Sequence, residues 1–135
     1  MRGIYSLAFL AVLVSSGLAE ARNGSQPAFR PHVFNLVNEA GRFETSSAGQ
    51  RQGWRSVGFW SYRTPRVGDL IVKRANTGRG LSAWEIESVQ RDFTGSNGES
   101  FWKGIMRDLV ETQTFTQTHV DAIHDAARTQ PELLP

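Results

Sequence analysis

A chain of 135 residues without cysteine has no thiolate nucleophile, no disulfide and no Cys-ligated metal or cluster. Its 15 Lys and Arg nearly balance its 13 Asp and Glu, leaving a formal charge of +2, so the distribution of charge says more than its total. Arg22, Arg30, Arg42, Arg51, Arg55, Arg63, Arg66, Lys73, Arg74 and Arg79 lie in a front part that holds only Glu39, Glu44 and Asp69 as acids, whereas acids dominate from Ala83 onward. Such a split gives either a dipolar surface or two halves that neutralise each other inside the fold.

The chain opens as a secretory signal peptide over residues 1–21: a basic start at Arg2, an apolar run from Ile4 to Val14, and Ala19 and Ala21 in an A-x-A arrangement. That run is too short for a bilayer span, and no later stretch is long and apolar enough to be one, so no stable membrane span is expected after cleavage. The implied location is secreted or periplasmic. About 114 residues then remain, enough for one domain with a modest core that no disulfide supports. Residues 22–30 read as a flexible tether, with a sequon at Asn23 that matters only in a glycosylating host.

Residues 31–130 read as a single α+β domain. Pro31 to Gly41 fits a short helix or a strand, and its β-formers favour a strand that turns at Asn38–Gly41 into Arg42–Thr45. In the next segment Trp54 and Ser56 share one face, and Val57 and Phe59 the other. Thr64 to Asp69 is turn chemistry, Leu70–Lys73 a buried strand, Ala75–Gly80 a Gly-rich loop, and Ser82–Val89 a further strand. There Ala83, Glu85 and Glu87 point one way and Trp84, Ile86 and Ser88 the other. The expected product is a small, mostly antiparallel sheet. Phe101, Trp102, Ile105, Met106, Leu109 and Val110 recur at three- and four-residue spacing, behind a candidate capping box at Ser96 and Glu99. This predicts a helix ending near Thr112. A second helix is expected from Thr116 or Thr118 to Gln130–Pro131, burying Val120, Ile123 and Ala127. The two would form an αα-hairpin packed on the sheet, followed by a tail over residues 131–135.

The phrase Pro65-x-x-Gly68-Asp69-Leu70-Ile71-Val72 is similar to the Pro-x-x-Gly-Asp-Leu/Ile phrase of papain-like cell-wall amidases and peptidases. Those families act through a Cys and a following His. This chain has no Cys, and no His between His32 and His119, so the resemblance implies turn-to-strand geometry and no activity.

Three readings of function follow. In the first, the chain is a secreted binding protein, an effector or inhibitor for example. Trp60, Tyr62, Arg63, Arg66, Arg74 and Arg79 would engage a protein or anionic polymer, since an aromatic surface interleaved with Arg suits both. Phe59 and Trp84 are assigned to the core. In the second, it is a small metal-independent hydrolase such as a ribonuclease, in which Glu85 and Glu87 on one strand face act with His32 and Arg55 as acid, base and charge stabiliser. In the third, it is a homo-oligomeric structural protein that exposes part of the Phe101–Val110 face. His119, Asp121, His124 and Asp125 are the only His–carboxylate cluster, but a five-residue His spacing is a poor metal pair, and a solvated helix surface is the simpler expectation. No pattern implies a cofactor.

Overall fold

The structure, a computed structural model, describes residues 30–39, 43–46, 51–75 and 80–135. The signal segment, Asn23 and Arg79 lie outside the described residues. The strands are β1 (Val33–Leu36), β2 (Phe43–Ser46), β3 (Trp54–Ser61), β4 (Leu70–Arg74), β5 (Leu81–Thr94) and β6 (Ser100–Asp108). They form one six-stranded sheet in the order β1-β4-β5-β6-β3-β2. Only β1 and β4 pair in parallel; the other neighbours are antiparallel. Helix α1 (Gln117–Ala127) and a 3-10 turn (Pro131–Leu133) complete the chain. The fold is thus α+β in one small domain. Among the described residues no helix is long and apolar enough to cross a membrane.

The helical pair and the first hairpin need correction. The αα-hairpin does not exist among the described residues, because the first of its helices is strand β6. Trp102 and Met106 lie on one face of that strand with Gly104 between them, while Phe101 and Ile105 belong to the other face. The four-residue recurrence that imitates a helical stripe comes from strand residues two pleats apart. Ser96 and Glu99 cap no helix. They belong to the β5–β6 turn, where Gly98 N–H donates to the Gly95 carbonyl (3.1 Å) and Glu99 N–H to Asn97 Oδ1 (3.0 Å). Nor do β1 and β2 form a hairpin. Each is a strand, but they occupy opposite edges of the sheet.

Each face of the sheet carries a core. On one, Val33, Leu70, Val72, Ala83 and Leu109 pack against Ile123 and Ala127 of α1 and against Leu133. Leu133 lies in the stretch read as a tail, yet only 2 % of it is exposed. On the other face Phe34, Val57, Phe59, Ile71, Trp84, Ile86, Trp102 and Met106 pack together. No layer is needed there, because the sheet curls onto itself. Four strand spacings separate β1 from β3, about 19 Å in a flat sheet, yet the Phe34 and Phe59 rings are 5.4 Å apart. Two bulges in β5, at Glu87 and Asp92, shift its register against β6 and add to the bend. The first also turns Ser88 to the face opposite Ile86, against the strict alternation expected there, since Ser88 pairs with Ile105 and Ile86 with Met106.

The Pro65–Asp69 turn is built around a buried carboxylate. Gly68 has φ 96°, a conformation side chains other than Gly adopt rarely. Asp69 is 1 % exposed. Its Oδ1 accepts His32 N–H (3.0 Å) and its Oδ2 accepts Arg66 N–H (2.9 Å). It therefore ties the entry of β1 to the entry of β4.

Candidate functional site

The positions proposed for chemistry fall into separate places. Glu85 and Glu87 do share a site, but their partners are Arg107 and His119. One guanidinium nitrogen of Arg107 meets Glu85 Oε1 at 2.7 Å and another meets Glu87 Oε2 at 3.2 Å. His119 Nε2 lies 3.0 Å from the same Glu85 oxygen. This network ties the first turn of α1 to β5 and β6.

The local fold fixes the state of His119. Thr116 is the N-cap of α1, and its backbone N–H donates to His119 Nδ1 (3.0 Å) in a capping box with His at the third position. Nδ1 accepts, so the ring proton sits on Nε2 and donates to Glu85. Burial pushes the His119 pKa below its ordinary 6.5; Glu85 works against this and Arg107 adds to it. The ring has no free lone pair with which to take a proton from a substrate, and Glu85 Oε1 already holds two donors. The arrangement is a clasp between helix and sheet.

The other hydrolase candidates are elsewhere. The His32 ring meets Phe34 edge-on at 4.7 Å, on the sheet face opposite Glu85. Arg55 pairs with Glu111 at 3.7 Å. The cluster proposed for a metal is also not gathered: His119 faces the sheet, Asp121 accepts from Gln117 (2.8 Å), Asp125 lies 3.5 Å from Arg128, and His124 is exposed. Among the described residues no group of three or more His, Cys, Asp or Glu is arranged to hold a metal ion.

The residues proposed for binding divide as well. At one corner Trp60 ends β3 on the Glu85 face of the sheet, while Tyr62, Arg63 and Arg66 follow in the loop, with the two arginines near His32 on the opposite face. Trp60 packs with Phe93 (5.2 Å) and Phe101 (5.3 Å), and those two stack on each other at 5.5 Å. The cluster sits on cross-strand neighbours, since Trp60 pairs with Phe101 and Phe101 with Phe93. Gly58 has no side chain because the Phe101 ring occupies that space; a Cβ there would come within 2.6 Å of it. Tyr62, 69 % exposed, lies beside the β5–β6 turn at Gly98. Arg63 is exposed, and its guanidinium has no ion pair among the described residues; Arg66 leans on Asp69 at 3.6 Å. Both arginines act on His32, whose pKa is lowered first by burial and then by Arg63, with Asp69 opposing and Arg66 adding a smaller push.

Arg74 is not part of this corner. It pairs with Leu81 at the start of β5, whereas Phe93 is near the other end. Twelve residues of strand separate them, roughly 40 Å if straight. Between the aromatic cluster and the clasp no described element covers the sheet face, which has a shallow depression of about 480 Å³ over Ser56, Gly58, Ser88, Gln90, Lys103 and Ile105.

Sequence reasoning missed Phe93, Phe101 and Arg107 because the region holding two of them was read as a helix. The usable signal was the alternation of Phe101, Lys103, Ile105 and Arg107 with Trp102, Gly104 and Met106. Comparison of the chain with family models, with curated proteins and with solved structures found no match to any of them.

Proposed function

We propose that the chain is an exported binding module that meets an acidic partner through the corner formed by Trp60, Tyr62, Arg63 and Arg66, extended by Phe93. The observation that carries this reading is the conjunction of exposed Tyr62, an Arg63 guanidinium without an ion pair among the described residues, and a self-packed aromatic cluster on the half of the sheet face that no described helix covers. Arg and Tyr beside a firm aromatic base make effective contacts with carboxylates and anionic polymers. The loop that presents them is fixed by buried Asp69, so little ordering cost is left for binding.

Immobilised heparin and polyglutamate serve as probes of an acidic partner. The variants Y62A and R63A are each expected to weaken retention about tenfold, with thermal unfolding unchanged, and R74A to have no effect. Equal affinity in R63A and the wild type sinks this placement. Export itself is tested by N-terminal sequencing of the chain recovered outside the cytosol, where Arg22 is the expected first residue.

The hydrolase reading has one observation in its favour, the gathering of Glu85, Glu87, Arg107 and His119. The committed ring nitrogens of His119 weigh against it. RNA turnover by the purified protein, lost in E85Q, would restore it in place of the binding reading.

A further inference from the structure

Cations gather on the face opposite Glu85, at the end of the curled sheet where β3 passes into the Tyr62–Asp69 loop. Arg91 pairs with Trp102, and Trp102 with Phe59, so the three stand in a row across β5, β6 and β3. The Arg91 guanidinium lies over the Trp102 ring at 5.4 Å. Trp102 Nε1–H donates to the Ser61 carbonyl (3.3 Å), and the Ser61 hydroxyl accepts Arg63 N–H (3.0 Å) and donates to the Arg63 carbonyl (2.9 Å). Arg63 is thereby anchored at the rim of the same indole. The Phe34 ring continues the row, 5.4 Å from Phe59, and the His32 ring meets Phe34 edge-on. The charges of Arg63 and Arg66 both reach His32. Arg63, Arg66 and Arg91 thus stand around one end of the aromatic row.

We propose that Arg63, Arg66 and Arg91, with His32 beside them, bind the phosphate group of a phosphate monoester. Charge selects this ligand. Three guanidiniums against the carboxylate of Asp69 leave two positive charges, and a phosphate monoester near pH 7 carries about −1.5 to −2. Asp69 is itself buried and already accepts His32 N–H and Arg66 N–H. Arg91 and Arg63 are exposed and have no ion pair among the described residues. Guanidinium forks match phosphate oxygens two at a time. Trp102 is buried beneath Arg91, so attraction above this apolar floor is less screened than in open solvent. In the bare chain the like charges oppose one another, and a bound dianion removes that opposition.

The site rests on the acidic-partner reading for Arg63 and Arg66 and narrows it. It adds Arg91 and His32, leaves out Trp60 and Phe93 on the other face, and exchanges an extended polyanion for a compact one. His32 reports on its occupancy. Arg63 and Arg66 face the ring from the loop, Asp69 from just before β4, and Phe34 from β1. Burial, then Arg63 and Arg66, hold the His32 pKa below its ordinary 6.5 against the pull of Asp69. A dianion set among the arginines cancels their push, so the His32 pKa rises when the site fills.

Titration of the full chain with methyl phosphate and with methyl sulfate at constant ionic strength tests it, followed by the NMR signals of the arginine Nε–H groups and the His32 ring. The two probes share a shape and differ in charge. At about pH 7.5 methyl phosphate is expected to shift Arg63, Arg66, Arg91 and His32 saturably, about tenfold more tightly than methyl sulfate, and to raise the His32 pKa. R91A is expected to weaken binding about tenfold, and R91K to recover only part of it, since Lys keeps the charge and loses the fork. Vesicles of phosphatidylcholine with phosphatidic acid distinguish the carriers of the group. Co-sedimentation that methyl phosphate reverses makes the ester a lipid headgroup, and none makes it a soluble one. Equal binding of the two probes, or an R91A affinity equal to the wild type's, overturns the proposal. Heparin retention that still depends on Arg63 would then leave the broader acidic-partner reading in place, and retention unchanged in R63A would remove both.

Discussion

One face of the sheet is treated in two ways along its width. Over β1, β4 and the start of β5 it carries Val33, Leu70, Val72 and Ala83, and helix α1 with Leu133 covers them. Over β3, β6 and the rest of β5 it carries Ser56, Gly58, Ser88, Gln90 and Lys103, and none of the described elements covers them. Aliphatic side chains standing off a sheet need a second layer to exclude water; small and polar ones do not. Of the large apolar groups on the bare half, Trp60, Phe93 and Phe101 are aromatic and pack on each other, while Ile105 stays exposed. The Glu85–Arg107–His119 clasp lies at the boundary, where a buried helix end meets open sheet.

The sharpest break between the halves is energetic. Leu109 is fully buried against α1. Leu109→Ala is expected to cost about 2–5 kcal/mol, through lost transfer energy and the cavity it leaves. Phe93→Ala removes a larger side chain, but one already half in water, and is expected to cost about 1 kcal/mol, mostly lost ring contacts. Urea unfolding of the two variants measures both. Equal losses would mean that the bare half is as much a core as the covered one.

Much of this contrast was legible before the structure. The alternation in Trp54–Phe59 and the continuous apolar run of Leu70–Val72 placed β3, β4 and their inner faces correctly. Phe59 and Trp84 are buried and Tyr62 is exposed, as their settings suggest. The extent of the sheet was not legible. A strand that buries Trp102 and Met106 on one face and Phe101 on the other shows apolar residues at helical spacing, and nothing local separates the two periods. The misreading removed the strand that carries Phe101 and Arg107, and with it both the aromatic cluster and the clasp. The edges also escaped, because the parallel partner of β4 lies far back in the chain and local turn chemistry favoured a hairpin. Glu85 and Glu87 lie side by side, but the Arg and His beside them are Arg107 and His119 and not the expected Arg55 and His32, because long-range packing chose the partners.

A smaller effect probes the boundary. Glu85→Ala leaves Arg107 with one carboxylate and His119 Nε2–H without its acceptor. The side chains of Glu85 and Arg107 are each 21 % exposed, so water offsets part of the loss. The expected cost is about 1–2 kcal/mol, with Phe93 and the bare half unaffected. Amide exchange should speed up in the first turn of α1 and remain unchanged in β3. Faster exchange across the whole sheet would show that the clasp supports more than the helix.

The smallest effect is one of pH. A second proton on His119 has to enter at Nδ1, where Thr116 N–H already points. The folded chain therefore takes that proton less readily than the unfolded chain, whose ordinary value is 6.5. The contribution is fully present above pH 6.5 and is lost as the pH falls through the lowered folded value. His32 has the same sign, with burial as its main cause. Asp108 has the opposite sign: burial raises it above 3.8, so it adds stability only as the solution becomes more acidic still. Between about pH 7.5 and 5.5 the histidines then set the slope. In H119Q the amide oxygen can accept Thr116 N–H as Gln does in an ordinary capping box, and it carries no titrating group. Its unfolding free energy should fall less steeply over that range than the wild type's, and H32Q on the same background should remove most of the remainder. A slope unchanged in H119Q would mean that the ring accepts its proton without disturbing Thr116, and that Glu85 outweighs burial at the clasp.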